Sequence, residues 1–534
     1  MSLDYNRTLA EVFVEAFRTY SDSPAFSCME HTLSYRQLDE LSQRFAAYLQ
    51  HCTRLQPGDR IAVQLPNILQ YPVVVIGALR AGMVVVNTNP LYTPAEIKHQ
   101  LNDSGARALV VLANIARSAA AVIEETQVEE VIVTELADLH PPLKRTLINF
   151  AVKHIKKMVP PFSFSHSLGL NQALAQGKGK ALKPVQITPE DVAVLQYTGG
   201  TTGVAKGAML THRNLVANMM QVNLHMQKVF RSNQELYVAP LPMYHIYAFT
   251  IHCTSAVSLG NHNLLIPNPR DIPAFVKAIK GKPFTCFVGL NTLFNALLRN
   301  PDFLKLDFSK LQITSSGGMA LMAETARHWA EVTGTQVCEG YGLTETSPVV
   351  SINPPGKVQT GTVGTPLPDT ECKVIDDEGR SLPAGEPGEL CVRGPQVMKG
   401  YWQRPEATAE VIDAEGWFMT GDIAVIQPDG YIKIVDRKKD MINVSGFKVF
   451  PNEVEDVLTT HPDIVEAAVV GTKDSDGNEV VKAFVVSSNP SLAVDEVRAY
   501  AKTQLTPYKV PHLVEFRSEL PKSNVGKVLR RELR

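Results

Sequence analysis

The sequence predicts an α/β protein with a β-rich stretch and a mixed C-terminal unit, and three observations carry that expectation. Strand-like apolar runs (RIAVQLP, MVVVNTN, ALVVLAN, EEVIVTE) alternate with helical stretches such as AEIKHQLNDSG after an opening amphipathic helix, Leu9 to Tyr20, which argues for a largely parallel sheet. A second α/β stretch runs from about Ile187 to Ser351, after which Gly, Pro and short alternating runs (GTVGTPLPD, ECKVIDD, GELCVRG, YIKIVDR) indicate a small β-rich subdomain or barrel. Beyond the charged run DRKKD, strands and helices alternate again in a compact unit (PNEVEDVLTTH, VEAAVVGT, VVKAFVVSS, VDEVRAYAKTQL). The expected organisation is an N-terminal domain over residues 1–436, with α/β subdomains at about 1–185 and 186–350 and the β-rich part at about 351–436, then a joint at 437–439 and a C-terminal domain over 440–534.

Size and composition narrow the function. A chain of 534 residues is too long for one ordinary domain. Hydrophobic residues at 44% and charged residues at 20% fit a globular chain, not a disordered or membrane-spanning one. The formal net charge of -2 gives no basic excess with which to hold nucleic acid, so small molecules are the expected partners. The seven cysteines are scattered and never spaced Cys-x-x-Cys, which predicts neither a disulfide framework nor a zinc site and fits a reducing cytoplasm. The N-terminus has no apolar signal core and RRELR is not a peroxisomal address, so a cytoplasmic location is expected. The charge-free segment from Leu236 to Pro269 is broken by prolines and histidines and is expected to be buried in protein instead of lipid.

One stretch departs from the α/β pattern. From Leu143 to Met158, residues Leu143, Leu147, Ile148, Ala151, Ile155 and Met158 fall on one helical face, with Lys144, Arg145, Lys153, Lys156 and Lys157 around it. Such a helix either packs on its own domain with solvated lysines or lies on the anionic inner face of a membrane.

The stretch YTGGTTGVAKGAMLTHRNL, Tyr197 to Leu215, has the composition of a phosphate cradle but not the spacing of a Walker loop. Lys206 is followed by Gly207 where a hydroxyl is required, and DVAVLQYT and GAMLTH read as strands on either side, with a helix beginning only after Thr211. The loop still offers Gly199, Gly200 and Gly203 to expose backbone amides, the hydroxyls of Thr198, Thr201 and Thr202, and one cation, Lys206. An ordinary hairpin tip would account for the glycines and threonines equally well.

Five motifs in order distinguish the two: YTGGTTGVAKG, EGYGLTET (Glu339 to Thr346), TGD (Thr420 to Asp422), DRKKDMINVSGFKV (Asp436 to Val449) and PKSNVGK (Pro521 to Lys527). The set resembles adenylate-forming enzymes, the acyl-CoA synthetase superfamily, over essentially the whole chain. Through LPMYHIYAFT, GPQVMKGYWQRP and LPKSNVGKVLRREL it is most similar to bacterial long-chain fatty-acid CoA ligases. That resemblance implies ATP, Mg2+ and coenzyme A, an acyl-adenylate intermediate, and a small mobile C-terminal domain. It implies that Tyr197 to Gly203 and Lys206 close over the β- and γ-phosphates, that Glu345 is the magnesium ligand, and that adenine lies between Gly317, Gly318 and Met319 on one side and Glu339, Gly340, Tyr341 and Gly342 on the other, with Thr344 beside it. Asp422 and Arg437 become ribose contacts, with Ile434 nearby. Lys527 becomes the lysine reaching both the substrate carboxylate and the α-phosphate, Lys439 the hinge pivot, and Gly446 with Lys448 part of the pantetheine channel.

His245 matches the position beside the reacting carboxylate, where a lone histidine in an apolar segment more safely positions than transfers a proton. Tyr247 and Phe249 are expected along the acyl tunnel, Phe249 as its gate; Ile246 stands where amino-acid-activating relatives place an Asp, and Gly342 where acetate-specific relatives place a Trp. A medium- to long-chain acid follows, although apolar pockets discriminate each methylene by only about 1–3 kcal/mol. Aryl and other carboxylic acids and luciferase-like oxidation share these motifs. From other classes, an NTPase and a non-catalytic fatty-acid-binding membrane-surface protein are the rivals. A homodimer and a peripheral membrane contact remain open.

Overall fold

The computed structural model describes residues 3–198, 205–444, 447–474, 477–522 and 528–534. The N-terminal part is built on two large sheets whose central strands are parallel, with antiparallel pairs toward the edges. One has nine strands, from Thr365–Pro366 at one edge through Val349–Ile352, Val337–Gly342, Ile313–Ser316, Cys286–Gly289, Leu236–Ala239 and His262–Leu265 to Pro24–Cys28 and His31–Ser34. The other has eight, with Lys206–Thr211 and Val192–Thr198 followed by Val84–Asn87, Arg60–Gln64, Ala106–Leu112 and Glu130–Thr134. The sheets exchange strands: Pro24–Ser34 joins the sheet made otherwise after residue 235, and Val192–Thr211 joins the one made before residue 170. Residue 185 is therefore not a boundary between sheets, because an edge strand pairs with whichever open ladder its packing brings near, whatever its place in the chain.

Local chemistry accounts for the helix starts. Thr8, Ser34, Thr93 and Thr211 each accept the amide of the third helical residue on a hydroxyl, with Glu11, Gln37, Glu96 and Asn214 reaching back in a capping box. The cap on Thr211 starts the helix His212–His225 directly after the strand Lys206–Thr211, the strand–loop–strand arrangement expected around the glycine-rich loop.

The β-rich part is a four-stranded antiparallel sheet, Glu371–Ile375, Pro387–Arg393, Phe418–Ile426 and Ile432–Arg437, closed over Val374, Leu390, Val392, Ala424 and Ile432. After the single turn Lys438–Asp440, the C-terminal unit has its own three-stranded sheet and two helices around Val454, Leu458, Val469, Val481 and Val485. A separate core is what lets such a unit move as a body.

The segment Leu143–Met158 is a helix, Pro142–Phe150, continued by a π-helical turn, Ala151–Ile155. Its apolar face points outward: Leu143, Leu147, Phe150, Ile155 and Met158 are 76, 62, 57, 70 and 55% exposed. Packing on its own domain is thus not how this face is covered.

Trp329, on the helix Ala323–Thr333, is fully buried against Phe294, Phe287 and Phe303, and its indole N–H donates to Thr314 Oγ1 at 2.9 Å. It supports the strand Ile313–Ser316, whose end leads into Gly317 and Gly318. Trp329→Ala is expected to cost about 3–5 kcal/mol, read as a lower urea midpoint; an unchanged midpoint would contradict this support. Trp329→Phe, which loses mainly the hydrogen bond, is expected to cost about 1 kcal/mol.

Candidate active site

The predicted site residues converge on one cleft of about 2440 Å3, bounded by both large sheets, the β-rich sheet and the C-terminal domain. Its anchor is Asp422, a buried side chain in the strand Phe418–Ile426. One oxygen accepts the Tyr341 hydroxyl at 2.5 Å, and the other lies 3.3 Å from Arg437 Nε. Antiparallel pairing sets Asp422 opposite Arg437 and Ala424 opposite Ile434, so the strand register itself brings the expected ribose contacts together. Burial raises the Tyr341 phenol well above its usual range, leaving it a donor.

Glu345 sits in the turn Thr344–Thr346, which also carries Thr344 to the cleft wall. Its Oε1 accepts the Tyr401 hydroxyl at 2.7 Å, and burial raises its carboxyl pKa. Lys206 Nζ lies 5.2 Å from the centre of the Tyr401 ring. Tyr401 thus stands between the expected phosphate cation and the expected metal ligand. Its sequence signal was only its place in MKGYWQRP, because the pairing that brings it there, Gly400 with Met209 and Tyr401 with Ala208, is long-range.

Tyr197 and Thr198 end the strand entering the loop, while Gly199, Gly200, Thr201, Thr202 and Gly203 lie outside the described residues. The Tyr197 hydroxyl donates to Asp103 Oδ2 at 2.7 Å, and Arg404 donates to the other Asp103 oxygen at 2.6 Å. Its phenol is therefore tied to Asp103, not a free ligand group. Neither Asp103 nor Arg404 was legible as a site residue, since each alone resembles a surface charge.

Gly317 and Gly318 close one wall of the cleft, with Met319 beside them; Gly318 has φ +83°, where a side chain would be strained. On the opposite wall Gly340 leads to Tyr341. A Cβ on Gly342 would meet the Pro348 carbonyl oxygen at 2.0 Å. The glycine is thus required by the close approach of its own hairpin as well as by an open acyl pocket. The Glu339 carboxylate, buried and pushed up to about 8 by desolvation, accepts the Leu321 amide at 3.0 Å. It holds the Met319–Met322 loop in place from the cleft wall.

The acyl end is apolar. Val222, Met226 and Phe230, spaced four apart on and beyond the helix His212–His225, face the same channel as Tyr247, Ile251, Val349 and Ile352. The Tyr247 hydroxyl pairs with Ser315 Oγ at 2.9 Å. Phe249 is not on this wall: it is fully buried in the core with Met243, Ile246 and Cys253, because Tyr247 and Ile251, four apart on one helical face, line the channel and Phe249 between them faces the other way. His245 caps the helix Ile246–Ala248, its Nδ1 accepting the Tyr247 amide at 3.3 Å.

On the C-terminal side, Leu520, Lys522, Val528 and Arg531 border the cleft; Lys527 itself lies outside the described residues, as does Gly446. Lys439 lines the cleft, its pKa lowered by burial and by Arg437. Lys448 does not reach the cleft: its Nζ pairs at 3.1 Å with Asp377, just beyond the strand Glu371–Ile375.

The AMP-binding enzyme profile matches residues 13–402, and the AMP-binding enzyme C-terminal domain profile matches residues 453–527. A long-chain-fatty-acid–CoA ligase of Escherichia coli O6:H1 is 52% identical over 99% of this chain and 95% of its own length. A long-chain-fatty-acid–CoA ligase of Salmonella typhimurium is 51% identical over the same shares. Among solved structures, a benzoate CoA ligase from Burkholderia xenovorans superposes with a TM-score of 0.84 at 26% identity, covering 99% of this chain and 100% of that one. With both profiles matched in order and relatives of nearly equal length sharing half their residues, the chain belongs to the AMP-binding enzyme family.

Proposed function

We infer that this chain ligates a medium- to long-chain fatty acid to coenzyme A through an acyl-adenylate, consuming ATP and releasing AMP and pyrophosphate. The observation that carries the inference is the meeting, in one cleft, of an apolar channel with an end that holds Lys206, Glu345, Asp422 and Arg437. A carboxylate is a poor electrophile, so its attack on the α-phosphate of ATP supplies the leaving group that the coenzyme A thiol later displaces. The first step joins two anions, and its barrier falls mainly through positioning and charge neutralisation.

Lys206 supplies the cation for the departing phosphates, His245 orients the acid, and Asp422 with Arg437 fixes the ribose. No group of three or more His, Cys, Asp or Glu side chains among the described residues could hold a metal alone. A magnesium ion sharing Glu345 with phosphate oxygens and water fits this donor set, since Mg2+ keeps several waters and takes few carboxylates. Bound there, it would neutralise charge on the phosphates; Tyr401 holds the Glu345 carboxylate in place for it. The names of the E. coli and Salmonella relatives support the fatty acid, and the channel lined by Val222, Met226 and Ile352 supports it independently.

Product analysis with acids of graded chain length and with benzoate is the test. AMP, pyrophosphate and acyl-CoA are expected with the longer acids; ADP and phosphate, or a preference for benzoate, would refute this reading. Lys527→Ala is expected to abolish adenylation while leaving thioester formation from preformed acyl-adenylate largely intact. Lys439→Pro is expected to do the reverse, blocking rotation of the C-terminal domain and hence thioesterification more than adenylation. Equal loss of both half-reactions in either variant would sink that assignment.

Peripheral contact with an anionic membrane surface is a second reading, favoured by the outward apolar face of Leu143–Met158. From Leu139 to Pro189 the chain has no Asp or Glu, while Lys153, Lys156 and Lys157 flank that face. No helix of the described residues is long and apolar enough to cross a membrane. Cosedimentation with anionic vesicles is expected at low salt and should weaken at high salt; absence of binding at both would refute it, and Leu147→Glu with Ile155→Glu should abolish it.

A further inference from the structure

Asp436 is the last residue before the joint at 437–439, on the N-terminal side of the turn about which the C-terminal domain is expected to rotate. Its side chain is fully buried. One oxygen, Oδ2, accepts the Asn452 amide at 2.7 Å. Asn452 lies in the first turn of the helix Pro451–Thr459, whose own N-cap residue, Phe450, makes no side-chain cap. A carboxylate from across the joint thus does the work of an N-cap, where the positive end of the helix dipole favours it. The Asn452 side chain donates to the Val435 carbonyl at 3.2 Å, on the same side of the joint.

The other Asp436 oxygen accepts the Arg437 amide at 2.7 Å and lies 3.5 Å from an Arg530 guanidinium nitrogen. Arg530 is held mainly within the C-terminal domain, by Glu455 at 2.8 Å and Asn452 Oδ1 at 2.6 Å, with Asp440 at 3.5 Å. Asp440 in turn takes Arg534 at 2.6 Å. This distribution is asymmetric. If the domain turned, Arg530 would carry its partners along, whereas Asp436 would keep only the Arg437 amide. A buried carboxylate stripped of a helix N-terminus and a cation is costly until water or a new donor reaches it.

The arrangement seen is the one that suits adenylation, because Leu520, Lys522, Val528 and Arg531, which flank the Lys527 segment, border the cleft while Lys448 is held outside on Asp377. We propose that Asp436 is a positioning residue that latches the C-terminal domain in the adenylation orientation, by capping the helix Pro451–Thr459 and pairing with Arg530 across the joint. The proposal rests on the two-orientation reading above. Release of the latch belongs to the second half-reaction, so its strength sets how the enzyme divides its time between making the adenylate and consuming it.

Asp436→Asn keeps an acceptor for the Asn452 amide but leaves no charge to strand, and Asp436→Ala removes both. The ratio of adenylation rate to thioesterification rate, measured by pyrophosphate exchange and by coenzyme A capture of preformed acyl-adenylate, is expected to fall about tenfold in Asp436→Ala and less in Asp436→Asn. A fold defect would lower both rates together and leave the ratio unmoved, which would overturn the latch. Hydrogen exchange in the unsubstituted enzyme provides a second measurement. Peptides covering Asn452 should be protected in the ligand-free enzyme and lose protection with a sulfamoyl analogue of the acyl-adenylate plus coenzyme A. Unchanged protection, in an enzyme whose Lys439→Pro variant selectively loses thioesterification, would overturn the latch and keep the hinge; a Lys439→Pro variant unaffected in both half-reactions would overturn both.

Discussion

The shared carboxylate of Asp422 is the contact on which the cleft depends. It joins Tyr341 of the nine-stranded sheet to two strands of the β-rich sheet, its own and that of Arg437, so one buried charge fixes the β-rich sheet against the large domain. A buried carboxylate is tolerated only when its lone pairs are met by donors of good geometry. Here a phenol and a guanidinium meet them. Because both partners come from strands in fixed register with their neighbours, the site needs no flexible loop to assemble this end of it.

The phosphate end is arranged on the same principle but across a different seam. Gly400 and Tyr401, in the connection between two strands of the β-rich sheet, pair with the strand Lys206–Thr211 as the edge of the eight-stranded sheet, and the Tyr401 side chain then stands between Lys206 and Glu345 of the turn Thr344–Thr346. Charges of opposite sign are thereby held near each other without forming a direct pair. An ion pair between Lys206 and Glu345 would satisfy both groups and blunt their attraction for phosphate and metal; an intervening phenol keeps the carboxylate oriented and the ammonium available.

Much of this was legible in the sequence. The strand–loop–strand setting of the glycine-rich loop follows from DVAVLQYT and GAMLTH, as does the helix that begins after Thr211. Tyr341, Asp422 and Arg437 were named from ordered motifs and do converge. What failed failed for local reasons. Phe249 was expected on the acyl channel, but Tyr247 and Ile251, four residues apart on one helical face, line it, and Phe249 midway between them turns into the core. Glu339, expected among nucleotide contacts, lines the cleft and engages one carboxyl oxygen on the Leu321 amide. Tyr401, Asp103 and Arg404 were missed because each gains its meaning from a partner that is remote in the chain.

The sequence by itself determined the class of chemistry, since glycine, hydroxyl, carboxylate and lysine motifs in a set order specify which groups are available, and the order of residues is what a sequence states. It also determined the helix caps, the alternation of strands and helices, and the charge-free and acid-free stretches. Only the tertiary structure decided which strands share a sheet, which face of Leu143–Met158 looks outward, and that Asp436 caps a helix beyond the joint. Those outcomes depend on contacts between residues far apart in the chain, whose energies arise from burial and long-range pairing and leave no period or spacing to read in advance.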